Sequence, residues 1–251
     1  MIRIDQIWLW TYVRDDRPHG GADAPAAWYC YSPDRKGVHP QTHLQDYSGI
    51  LQADAYAGYN AGRVLEAGCW AHARRHFYDI HEKRPSAITT HVLDTIAALY
   101  RIEADIRGKP PDERRAVRQA RAAPIVTALH AWLKEQLTTV SRKSVTADAI
   151  GYALNQWQAL TRFLDDGRIE VDNNAAERAL RAGGHHVQPS GFREAQRFEP
   201  GSILNTCVRA YRRPSCESHR RAIALERAAL RLISTPVRPS RRYRPSRYDR
   251  Y

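Results

Sequence analysis

The sequence predicts an α/β protein whose small sheet is interrupted by an all-helical block. Three observations carry that expectation. Ile7–Val13, Ala26–Tyr31 and Gly49–Ala53 are short, apolar and rich in β-branched or aromatic residues, as buried strands are. From Trp70 to Phe163 apolar residues instead recur at three- and four-residue steps, the period of helices packed along one face. A second acid-bearing helix then opens at Asp172, far downstream of the strands. At 251 residues the chain is long enough to bury a real core, in one large domain or two smaller ones.

Ile7-Trp8-Leu9-Trp10-Thr11-Tyr12-Val13 reads as a strand buried on both faces. The polar stretch Asp15–Pro25, with Pro18, Gly20 and Gly21, turns it into the Ala26–Tyr31 strand as a hairpin. Ser32–Gly37 carries turn residues, and His39–Tyr47 reads as a short helix leading to the Gly49–Ala53 strand. Val64–Cys69 is a further short strand. Ala71–His81, rich in Arg and His, is a helix ended by Pro85. Ile88, Val92, Ile96, Leu99, Ile102 and Ile106 make one helical face, closed by Gly108 and Pro110. Pro111-Asp112-Glu113 starts another helix, with proline and acids where the helix dipole favours them. Ile125, Leu129, Trp132, Leu133 and Leu137 form a third stripe; Val145, Ala149, Tyr152, Gln156, Leu160 and Phe163 form a fourth.

Asp165–Arg168 turns the chain, and Asp172 or Asn173 is a suitable cap for the helix that follows. Beyond Arg181 the character breaks. A modest helix fits Arg220–Ile233, while residues 235–251 are dominated by Arg, Pro, Ser and Tyr without apolar periodicity, so disorder is expected there.

The net charge of +12 is unevenly placed. Residues 182–251 hold fifteen Arg and five acids, whereas the 24 basic and 22 acidic residues of 1–181 nearly cancel. Arginine supplies 34 of the 39 basic residues, which favours bidentate phosphate contacts but equally reflects a GC-rich coding sequence. No run of eighteen apolar residues marks a membrane span, and the first residues lack the pattern of a secretion signal. Cys30, Cys69, Cys207 and Cys216 are too few in this length for a disulfide framework. A cytoplasmic location is therefore expected.

Two acids stand out as chemistry. Asp54 closes the Gly49–Ala53 run, and open α/β sheets place their sites at the carboxyl ends of strands. Glu177 sits within the first turns of the helix after Asp172. Each also has a plain structural reading: Asp54 as a loop or cap residue, and Glu177 as an exposed ion pair with Arg181 four residues on, contributing a few tenths of a kcal/mol.

Four blocks together go further: Trp8-Leu9-Trp10-Thr11-Tyr12-Val13-Arg14-Asp15-Asp16-Arg17-Pro18, Leu51-Gln52-Ala53-Asp54-Ala55-Tyr56, Cys69-Trp70-Ala71-His72-Ala73-Arg74-Arg75 and Asp172-Asn173-Asn174-Ala175-Ala176-Glu177-Arg178. In order and spacing they closely resemble the transposases of the insertion sequence 66 family, over residues 7–181. The resemblance implies a ribonuclease-H-like mixed sheet in which three acids hold two divalent ions, Mg2+ or Mn2+. Asp54 matches the second acid, on the fourth strand, and Glu177 the third, on the last helix. Such ions activate the attacking oxygen and stabilise the leaving one in phosphodiester cleavage and strand transfer. DNA, as transposon ends and target, is the implied partner, with a second copy of the chain or accessory transposition proteins beside it.

The resemblance also implies a domain plan: residues 1–84 as the first part of the fold, 85–166 as a helical insertion, 167–181 as the last helix, and 182–251 as a divergent arginine-rich tail, largely disordered. Cys69 and His72 form a Cys-x-x-His pair, but no second pair stands at ligand spacing, so a closed zinc site is unsupported. The pair is expected to be structural or substrate-positioning. Arg74, Arg75 and His76, with Arg178 and Arg181, are candidates for DNA phosphate contacts, and a solvated basic face is the alternative.

The family's first acid lies on a strand upstream of the residues matching Trp8, and Asp5 does not match it. The sheet is therefore expected to lack its central strand, between the Trp8 strand and the Asp54 strand. Beyond Arg181 the family pattern gives way to Ala182-Gly183-Gly184-His185-His186 and an abrupt rise in basic charge, as a frameshift produces. Transposition chemistry in an inactive form is the leading expectation. A catalytically silent DNA-binding remnant and a product without function are the alternatives.

Overall fold

The computed structural model describes residues 6–59, 64–183 and 203–212. A five-stranded mixed sheet organises them, in the order β2-β1-β5-β3-β4. β1 (Gln6–Arg14) and β2 (Ala26–Ser32) form the expected antiparallel hairpin, registered from Trp8 opposite Ser32 to Arg14 opposite Ala26. Trp10 lies fully buried in it, and its indole N–H donates to Ser32 Oγ at 2.7 Å, so this buried ring leaves no orphan donor. β3 (Gly49–Gln52) and β4 (Val64–Ala67) run parallel to each other. The short helix before β3 is α1 (Val38–His43).

The expected gap in the sheet is filled. β5 (Ile203–Arg212) lies between the two halves, antiparallel to β1 from Gln6 opposite Arg212 to Val13 opposite Asn205, and parallel to β3 from Ile50 opposite Ile203 to Gln52 opposite Asn205. The expectation of a sheet without its central strand is corrected by this pairing. The physical reason is alternation. Leu204 and Thr206 are buried on one face, Leu204 among Trp10, Tyr12 and Leu51, while Ile203 joins the core on the other. Ile203, Thr206 and Val208 are β-branched and suit a central strand. The helix expected at 220–233 and the disorder expected at 235–251 lie outside the described residues.

The helices follow the periodicity closely. α2 (Trp70–Lys83) buries Trp70, Ala73 and Phe77. α3 (Ala87–Asp105) starts at a reciprocal cap: Ser86 accepts from the Thr89 amide while Thr89 Oγ1 accepts from the Ser86 amide. α4 (Pro111–Val117) and α5 (Ala123–Thr139), expected as separate stripes, are joined by one turn of π-helix at Arg118–Ala122. The fourth stripe is broken: α6 (Val145–Asn155) ends near Gln156, and α7 (Trp157–Thr161) and a 3-10 turn complete it. α8 (Asn174–Gly183) is the acid-bearing helix.

One apolar cluster runs from Ile203 and Val171 through Trp70 and Phe77 to Ile96, Leu129 and Ile150, so the helical block packs directly on one face of the sheet. Two arginines are buried within it. Arg118 makes a fork with Glu103, Nε to Oε1 at 2.8 Å and Nη2 to Oε2 at 2.6 Å, and donates through Nη1 to the carbonyls of Phe163 and Asp166. Arg114 bridges Glu103 and Glu170. This network pins α4 to α3 and to the chain just before α8. Among the described residues no helix is long and apolar enough to cross a membrane.

Candidate active site

The site is built where β3, β4, α2 and α8 converge. Gln52, fully buried at the end of β3, donates from Nε2 to the carbonyls of Glu170 (2.6 Å) and Gly68 (3.3 Å). It thereby ties the strand end to the segments that enter α8 and α2. Asp54 follows two residues later, half-buried, as its place after a buried strand predicts. Ala55 next to it has φ of 63°, the one non-glycine residue in the left-handed region among those described. That conformation costs about 1–2 kcal/mol for a residue with a Cβ. It turns the Ala55 N–H onto the carboxylate of Glu66. Burial, reinforced by the charge of Asp54, raises the pKa of Glu66 despite that hydrogen bond and nearby Arg162. Asp54 Oδ1 and Glu66 Oε1 are both buried without a hydrogen-bond partner.

Sequence reasoning passed over Glu66. Its signal was an acid inside the otherwise apolar β4, and the parallel register that sets it opposite Leu51 brings it beside the end of β3.

α2 and α8 start side by side. The Trp70 amide donates to the Val171 carbonyl at 3.0 Å, and the Asn173 amide to Cys69 Sγ at 3.3 Å. One turn into each helix, His72 Nε2 lies 3.5 Å from Glu177 Oε1. Asp172 accepts from the Asn174 amide at 3.0 Å and from its Nδ2 at 2.6 Å, so it serves the start of α8 as expected. Burial pushes the Cys69 thiol up to about 12, opposite to what a reactive cysteine needs. Burial and then the Asp172 charge raise the Tyr100 hydroxyl, which hydrogen-bonds Asp172.

The candidate DNA contacts divide. Arg74, Arg75 and His76 are exposed on the outer face of α2: Arg74 lies 5.1 Å over the Tyr78 ring, Arg75 is 3.8 Å from Asp79, and His76 packs 4.2 Å from Tyr152. Arg178 is exposed on α8 and lines a cavity of about 220 Å³ with Asp15, Tyr100, Arg107, Asp172 and Asn205. The Arg181 side chain, and the ion pair expected between it and Glu177, lie outside the described residues.

A paired divalent-metal centre needs several carboxylates converging within about 3.5–4 Å of ion separation. Asp54 offers an unpartnered oxygen. Glu177, however, faces His72, and the strand that fills the slot beside β3, Ile203-Leu204-Asn205-Thr206-Cys207-Val208-Arg209-Ala210-Tyr211-Arg212, holds neither Asp nor Glu. Among the described residues no three of His, Cys, Asp and Glu are grouped to hold a metal ion. These side chains do not fit the Mg2+ or Mn2+ pair.

Residues 3–188 match the model of a protein family described as Transposase IS66 family. Three proteins of Sinorhizobium fredii are similar to this chain. Uncharacterized protein y4qI is 42% identical over 185 residues, 69% of this chain and 34% of its own length. Uncharacterized protein y4hP is 41% identical over 194 residues, 69% of this chain and 35% of its own. Uncharacterized protein y4jD is 36% identical over 184 residues, 69% and 36% respectively. The chain thus spans about a third of the length of the curated relatives it matches. No solved structure matches it. With the family match covering residues 3–188, the chain belongs to the IS66 family of transposases.

Proposed function

We propose that the chain is a ribonuclease-H-like transposase core that binds DNA and does not itself cleave or join it. Family membership is what supports DNA as the ligand. One observation carries the second half: the strand in the central slot, next to β3, holds no carboxylate. Asp54 and Glu177 are then the two remaining acids of the reaction, and two carboxylates give less charge for a metal pair than the three the family chemistry implies.

Binding draws on two sources of positive charge. Arg74, Arg75, His76 and Arg178 give the exposed helix faces phosphate donors. Residues 213–251 add eleven Arg against three acids, charge that attracts any DNA and weakens with salt.

Incubating the full chain with DNA carrying the ends of its element, and with random DNA, in Mg2+ or Mn2+ tests both halves. The expected result is salt-dependent binding to either DNA without nicking, and loss of most random-DNA affinity when residues 213–251 are deleted. That deletion must stop short of β5, because removing 182–251 would take the central strand with it. Nicking above background that disappears in Asp54→Asn would overturn the second half of the proposal.

A further inference from the structure

We infer that the Cys69-x-x-His72 pair is a positioning clamp that fixes the first two turns of α8 and, through them, Glu177. Two residues of one motif reach two residues of another in matching order. Cys69, at the N-cap of α2, receives the Asn173 amide; His72, three residues on, meets Glu177, four residues beyond Asn173. Three- and four-residue steps lie on one face of a helix, so two helix starts laid side by side meet twice, one turn apart.

The sulfur is occupied as an acceptor. Cys69 stands at the N-cap of α2, and its sulfur takes the Asn173 amide at 3.3 Å, so the residue that opens α2 tethers the start of α8. Its raised thiol pKa fits a neutral acceptor, whereas zinc takes a thiolate. Asn173 is itself fully buried and donates from Nδ2 to the Thr206 carbonyl of β5. The start of α8 is thus held from α2 by its backbone and from the central strand by its side chain, and Glu177 faces His72 one turn further on. The value of that orientation rests on Glu177 being an acid of the proposed reaction site; the clamp itself does not.

Amide hydrogen exchange on the full chain separates the two. Cys69→Ala is expected to speed exchange of the Asn173 to Arg178 amides about tenfold, as the loss of one buried acceptor implies, and to leave Val92 and Ile96 in α3 unchanged. Cys69→Ser, which keeps an acceptor, should restore part of the protection. His72→Ala should speed the Glu177 and Arg178 amides, with His72→Gln restoring them. If Cys69→Ala does not fold, the serine and His72 variants give the comparison. Exchange of α8 unchanged by every variant, or raised equally in α3, would overturn the clamp. So would stoichiometric Co2+ uptake with a thiolate charge-transfer band that Cys69→Ser abolishes. None of these readings depends on DNA cleavage, so the clamp and the proposed function fail separately.

Discussion

Asn173 donates its side-chain amide to the backbone carbonyl of Thr206, joining the start of the acid-bearing helix to the central strand of the sheet. The two residues belong to different parts of the sequence. Asn173 lies inside the family-matching region, residues 3–188, and Thr206 lies beyond it. A segment outside the family pattern thus completes the sheet around which the family pattern folds. Without it, β1 and β3 would each present a row of buried, unpaired backbone groups at about 1–3 kcal/mol apiece, against a net stability of about 5–15 kcal/mol.

His43 gives the fold a sensitivity to acid. It packs against Trp10, Tyr12 and Trp28, with Nδ1 2.9 Å from the Tyr12 hydroxyl. Burial, and then the charge of His39, lower its pKa from 6.5 to about 4. The unfolded chain therefore binds this proton more readily than the folded one. Its contribution to stability is complete above pH 6.5 and is lost as pH falls from there towards 4, about 3 kcal/mol in all. Urea unfolding of the protein and of His43→Gln across that range checks this. The two curves should converge as the pH drops, and parallel curves would contradict the assignment.

Glu103 holds two buried arginines, and its charge is what keeps them paired. Glu103→Gln should cost about 3–5 kcal/mol in urea unfolding, because Arg118 is left buried without its counter-ion. Replacing the pair with apolar side chains, Glu103→Leu with Arg118→Met, should recover much of the loss. A cost under about 1 kcal/mol for Glu103→Gln would show that the network contributes little.

Most of the helical block was legible because its stripes are long: Val92, Ile96, Leu99 and Ile102 leave little choice of face. Where α4 runs into α5, the π turn carries Arg118 and Gln119 rather than apolar residues, so periodicity saw two helices where the backbone makes one continuous run. The Asp54 strand and the Glu177 helix were legible from their motifs, and so was the nearness of Cys69 and His72 in sequence; their contacts with Asn173 and Glu177 were not, since 104 residues separate Cys69 from Asn173. Glu66 was hidden because burial, not sequence spacing, gives it its character. β5 was missed for a related reason. Its alternation of Ile203, Leu204, Asn205 and Thr206 is short, and the arginines around it drew the reading towards a solvated tail. Only β1 and β3, waiting for a neighbour, show where it belongs.

The central strand holds the two halves of the sheet together. Amide exchange of the Ile203–Arg212 backbone in the intact chain measures it directly. Asn205, registered with both β1 and β3, and its neighbours Leu204, registered with β3, and Thr206, registered with β1, should exchange at least about a thousandfold more slowly than unstructured chain, and at rates comparable to Trp10 and Leu51. Exchange of those three amides at the unprotected rate, with Trp10 and Leu51 still slow, would contradict an acid-free strand at the centre of the sheet.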